Sequence, residues 1–161
     1  MRTETVTTKI YSFDELSSEA QAKALDNCRD FNTSDNWWEF QYEDAANSGL
    51  KITSFDLNRN RHAKGCFENG AKECADLIID NHGESCETYR TTQAFIKKWE
   101  KIDSETQENE EDELEREFLK DILEDYSIML QNQYEYLYED EAVQETIESN
   151  EYEFTENGTQ Y

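Results

Sequence analysis

Five carboxylates, Glu110, Glu113, Glu117, Asp121 and Glu124, recur at intervals of three and four residues. On a helix that spacing lines them along one face, with roughly 21 Å from first to last at 1.5 Å per residue. Such a row attracts a basic surface and associates loosely with divalent cations. It is not a built calcium site, because Glu108 to Glu115 lacks the glycine turn of an EF-hand loop. A DNA strand carries one phosphate every ~3.4 Å along its axis, and the duplex one charge per ~1.7 Å. A single row is sparser than that. Imitation of a duplex therefore requires a second acidic segment, 135–156, to lie beside the first, 103–125.

Other chemistry-bearing types are scattered. Cys66, Cys74, His82 and Cys86 are of zinc-ligand type, but their intervals of eight, eight and four lack the short paired knuckles of a zinc finger. Cys74 is expected to face the core as a small hydrophobe, and His82 to sit at a helix end, where the dipole favours it. No metal or other cofactor is expected. There is no G-x-S-x-G, no phosphate-binding glycine loop and no H-E-x-x-H, and only two histidines, so no enzyme is expected either. His62 stands among Arg59, Arg61 and Lys64, the one dense basic cluster. In so acidic a chain, pairing with the acidic helices is the economical use for it, and holding a phosphate the alternative. Trp37, Trp38, Phe40 and Tyr42 crowd too few helix turns to face inward together. One of Trp37 and Trp38 is expected at a surface or interface, and Tyr134, Tyr136 and Tyr138 make a similar overhang.

The chain that must position these groups has 161 residues and no proline. It reads as a single domain, 1–161, of α+β class: five or six helices packed on a small antiparallel sheet, with one long acidic amphipathic helix. Leu114, Phe118, Leu119, Ile122, Leu123, Tyr126, Met129, Leu130, Gln133, Tyr134 and Leu137 give that helix its buried stripe. Ser104 to Asp112 has no apolar residue and is expected to be flexible. Leu50 and Ile52 alternate in one phase and Phe55 and Leu57 in the other, which predicts a bulged strand near Ser54, paired with a return strand from His62 to Phe67. Strands are also expected at Thr5–Tyr11 and in a hairpin turning at Asn157-Gly158. A capping box is expected at Ser18/Gln21 or Ser12/Glu15.

Charge dominates the composition. There are 39 acidic residues against 15 basic ones, for a net −24. Residues 101–161 hold 21 acidic side chains against three basic ones, Lys101, Arg116 and Lys120. That field repels nucleic acid and anionic membranes and attracts basic surfaces. No apolar run is long enough for a transmembrane helix, the N-terminus lacks a signal-peptide core, and four cysteines without CxxC pairing are expected to stay reduced in a cytoplasm.

The segment from Tyr11 to Ala24 (YSFDELSSEAQAKA), with Phe55-Asp56-Leu57-Asn58-Arg59 and Asn150-Glu151-Tyr152-Glu153-Phe154-Thr155, resembles small acidic accessory proteins encoded by tailed phages and prophages. The resemblance carries no catalytic motif. It implies a product made in a bacterial cytoplasm, of a class that often blocks restriction enzymes or CRISPR effectors, in some cases by imitating DNA. The expectation is a non-enzymatic inhibitor that binds a basic, nucleic-acid-handling host defence protein through Glu110, Glu113, Glu117, Asp121 and Glu124. The alternative is an adaptor that binds a protein partner, or a second copy of itself, through Trp37, Trp38 and the tyrosines, with acidity serving solubility.

Overall fold

Leucines, isoleucines and aromatics at helical spacing, punctuated by Gly and Ser in place of proline, settle among the described residues into six helices and one two-stranded antiparallel sheet, an α+β fold. The computed structural model describes residues 1–102, 105 and 107–161. Asp103, Ser104 and Thr106 lie outside them, and with these the start of the expected acidic helix 103–125 and of the expected flexible segment 104–112. The elements are α1 (Ser18–Asn27), α2 (Glu39–Asn47), β1 (Leu50–Asp56), β2 (His62–Phe67), α3 (Ala71–Asn81), α4 (Glu87–Trp99), α5 (Gln107–Leu137) and α6 (Asp140–Ser149), with short 3-10 turns at Phe13–Glu15 and Phe31–Thr33. No helix among the described residues is long and apolar enough to cross a membrane.

The chain forms two units, residues 38–133 and residues 1–37 with 134–161. Each has its own hydrophobic core.

In the unit of residues 38–133, α5 supplies more of the buried residues than any other helix. Phe118, Ile122, Leu123, Tyr126 and Leu130 are buried, as the stripe predicts. Phe118, Ile122, Leu123 and Tyr126 pack with Leu50, Ile52, Cys74, Ile78 and Phe95 from β1, α3 and α4. Gln107 to Asp112, within the segment expected to be flexible, is the opening of α5. β1 and β2 pair from Leu50↔Phe67 to Asp56↔His62, and the register shifts between Ile52 and Ser54. Thr53 is the extra residue, and its hydroxyl donates to the Lys64 carbonyl at 3.2 Å. The bulge carries the apolar phase from Leu50 and Ile52, which are buried, to Phe55, which packs against Trp38 and Tyr42.

In the unit of residues 1–37 and 134–161, α1 and α6 enclose Phe13, Leu16, Ala20, Ala24, Cys28, Val143, Ile147 and Phe154. The Ser12/Glu15 pair forms at the 3-10 turn, where the Glu15 carboxylate accepts from the Ser12 N–H at 2.9 Å. The cap of α1 itself is Ser17, not Ser18: its hydroxyl accepts from the Ala20 N–H at 3.2 Å. Asn32 Nδ2 donates to the Leu137 and Ala142 carbonyls, each at 3.2 Å; the Leu137 carbonyl is one of those orphaned where α5 ends. α6 starts at Asp140 with Glu139 as its cap residue, so Asp140 is the first helical residue; its carboxylate lies 2.6 Å from Arg29. The expected terminal strands shrink to isolated bridges, Tyr11↔Phe154 and Phe154↔Gln160. Val6 and Ile10 are exposed, so nothing buried holds Thr5–Ile10 in a sheet.

Candidate functional surface and cleft

All five carboxylates of the α5 row are exposed, but they are not equivalent. Lys98 Nζ reaches Glu117 at 2.7 Å, and Arg61 reaches Glu124 at 2.5 Å. Arg61 also donates to Ser127 Oγ at 3.2 Å and Gln131 Oε1 at 2.9 Å. This arginine of the basic cluster therefore pins the β1–β2 hairpin to α5, the internal use expected for it. Glu110, Glu113 and Asp121 form no ion pair among the described residues. The second acidic segment, 135–156, falls in the other unit.

Neither tryptophan overhangs. Trp37 is half-buried with its ring centroid 5.4 Å from Tyr134, and Trp38 is half-buried 5.8 Å from Phe55. α2 begins only at Glu39, so both residues precede the helix and turn their rings onto packed neighbours. The exposed aromatic of this stretch is Phe40, at 72%. Tyr134 and Tyr138 stack at 5.5 Å, and Tyr134, Tyr136 and Tyr138 are exposed.

The cysteines disperse. Cys74 is fully buried in the core, and burial pushes its thiol up to about 12. Cys66 is exposed on β2, and Cys86 is exposed at the cap of α4. No group of three or more His, Cys, Asp or Glu among the described residues is placed to hold a metal ion.

His82 and Cys86 do share a surface. They line a cleft of about 390 Å³ between the end of α3, the start of α4 and one side of α5, together with Asp44 of α2. His82 is the cap residue after α3. Its Nδ1 lies 2.6 Å from the Thr88 hydroxyl, and its Nε2 is 3.4 Å from the Asp44 carboxylate and 3.3 Å from Ser48 Oγ. Tyr126 donates its buried hydroxyl to the same Asp44 oxygen at 2.7 Å. The hydrogen bond from His82 and the one from Tyr126 hold the Asp44 carboxyl below the usual range, against the opposing effect of burial. On the far side, burial raises the Asp125 carboxyl, although Thr91 Oγ1 donates to it at 2.5 Å; Glu87, Asp121 and Glu124 push it further the same way.

A pH dependence follows from Asp44. Its folded pKa is depressed, so its ionised form adds stability that is present above the unfolded carboxylate range and is lost as pH falls through the folded value. Asp44→Asn is expected to lower stability at neutral pH by about 1–3 kcal/mol, the cost of disrupting a partly buried charged hydrogen bond. It is also expected to flatten the acid limb of the melting temperature against pH. Parallel acid limbs in variant and parent remove this role.

The carboxylate row is visible as periodicity, but Asp44, Thr88 and Asp125 are not. The one available signal is that Asp125 interrupts the apolar side of α5, three residues after Ile122 and four before Met129. Comparison of the chain with protein-family profiles, curated proteins and solved structures found no significant match.

Proposed function

We propose that this chain is a non-enzymatic binding protein that docks the acidic face of α5 onto a basic, nucleic-acid-handling partner, in the manner of a phage-encoded inhibitor of a restriction or CRISPR-like defence protein in a bacterial cytoplasm. The observation that carries this reading is the exposure of Glu110, Glu113 and Asp121, which form no ion pair among the described residues, in a segment where acidic residues outnumber basic ones 21 to 3. Glu117 and Glu124 serve the fold through Lys98 and Arg61 and contribute less to docking. The reading rests on electrostatic attraction of the α5 face to a basic groove. Reversing Glu110, Glu113 and Asp121 together to lysine is expected to weaken partner binding by about tenfold or more, at ~0.2–1 kcal/mol for each exposed charge lost and a comparable repulsion added. The parent complex is expected to dissociate as salt rises. Binding that survives both changes removes the proposal.

A second reading has its own observation. Phe40 at 72% and Tyr136 at 47% exposure are large apolar groups left to solvent. An adaptor that bound through them would keep its partner in high salt and lose it on Phe40→Ala.

A further inference from the structure

The cleft bounded by α3, α4 and α5 is independent of the acidic row's proposed partner, and its lining is specific. Its volume of about 390 Å³ falls within the range of small-molecule sites, which run from ~300 to 1,000 Å³. Ile128 and Met129 give it an apolar side, and a methionine adapts to an irregular ligand. Every formally charged group in its lining, His82 aside, is a carboxylate: Asp44, Glu87 and Asp125.

These three carboxylates differ in what they have left to accept. Asp44 is taken by His82 and Tyr126, and Glu87 by Arg90 at 2.6 Å. Asp125 is half-buried and, among the described residues, accepts from the Thr91 hydroxyl alone. A carboxylate offers about four acceptor positions, and a half-buried charge so sparsely paired is costly in an apolar wall. The N-terminus of α4 opens into the same cleft and would favour an anion, but Glu87 in its first turn already answers that dipole.

We propose that this cleft binds a small organic cation, a protonated amine on an apolar body of about one ring, with the ammonium on Asp125 and the body against Ile128 and Met129. Cys86 reports on the site without being part of its recognition. Its thiol is exposed in the cleft lining, whereas Cys28 and Cys74 are buried and Cys66 is the other exposed thiol. In a Cys66→Ser chain, iodoacetamide therefore reads the cleft through Cys86. Phenethylamine is expected to slow that alkylation and to give a saturable calorimetric isotherm. Phenethyl alcohol is expected to need at least about tenfold more for the same protection, a ratio worth ~1.4 kcal/mol, and phenylpropionate to give none. Asp125→Asn, whose amide oxygen still accepts from Thr91, is expected to bring the amine down to the alcohol's level. Equal protection by amine and alcohol, protection by phenylpropionate, no protection by any of the three, or an amine preference intact in Asp125→Asn overturns the proposal. Should Asp125→Asn fail to fold, the amine-to-alcohol ratio in the Cys66→Ser chain decides alone.

Discussion

Phe118→Ala is expected to destabilise the unit of residues 38–133 by about 3–5 kcal/mol, the range for emptying a buried phenylalanine site. The ring is 2% exposed and lies between two others. Phe95 of α4 stacks on it at 4.3 Å and 12°, and Phe67 of β2 at 5.5 Å and 19°. The single side chain therefore joins α4, α5 and the sheet. Stacked aromatic pairs add ~0.5–1.5 kcal/mol beyond burial, so Phe118→Leu, which keeps most of the volume, is expected to lose mainly that part. Denaturant melts give the magnitude. Amide hydrogen exchange gives the place: protection falls across residues 38–133. A cost below about 1 kcal/mol, or a loss of protection confined to other residues, contradicts this account of the core.

Gly158→Ala is expected to damage the other unit on a comparable scale, about 2–5 kcal/mol. The turn that carries it runs from Thr155 to Thr159, with the Gly158 N–H donating to the Thr155 carbonyl at 2.9 Å and the Thr155 N–H to the Thr159 carbonyl at 2.8 Å. Gly158 sits at φ +81°, and a Cβ there would meet the Ala20 carbonyl oxygen at 2.2 Å. The left-handed backbone costs roughly 1–2 kcal/mol for a residue with a side chain, and forcing atoms into a packed site roughly 1–3 kcal/mol more. Gly70→Ala is the control. Gly70 has φ +97° with nothing within 4 Å of its Cβ position, so it carries the backbone cost without the clash. Gly158→Ala is expected to be clearly the worse of the two and to lower protection in residues 1–37 and 134–161. Equal melting temperatures for the two variants contradict the close approach to α1.

How much of this was legible differs by element, for physical reasons. The stripe of α5 was readable because burial on a helix repeats every three to four residues, and Phe118, Ile122, Tyr126 and Leu130 keep that period. The bulge at Thr53 was readable because a period of two cannot change phase without an extra residue. The terminal strands were not. Alternation at Thr5–Tyr11 gives the pattern of a strand but supplies no partner, and only Tyr11 finds one. The expectation that one of Trp37 and Trp38 lies at a surface rests on crowding within one helix; α2 begins after both of them, and both are half-buried. Phe40, the first aromatic inside α2, carries the exposure. Along α5, the buried run from Phe118 to Leu130 feeds one unit while Tyr134 and Leu137 belong to the other. A continuous stripe in one helix does not reveal that division. The cleft was hidden for a simpler reason: Asp44, His82, Thr88 and Asp125 come from four separate places in the chain, and no local spacing announces a meeting of that kind.

Docking through the acidic face of α5 is read by affinity capture from bacterial lysate with two chains side by side. One is the parent, and the other carries Glu110→Lys, Glu113→Lys and Asp121→Lys. The parent is expected to retain a basic nucleic-acid-binding protein at low salt and to release it at high salt or on addition of duplex DNA; the reversed chain, with an unchanged melting temperature, is expected to retain none. A partner held equally by both chains, or held by the parent through high salt and excess DNA, contradicts it.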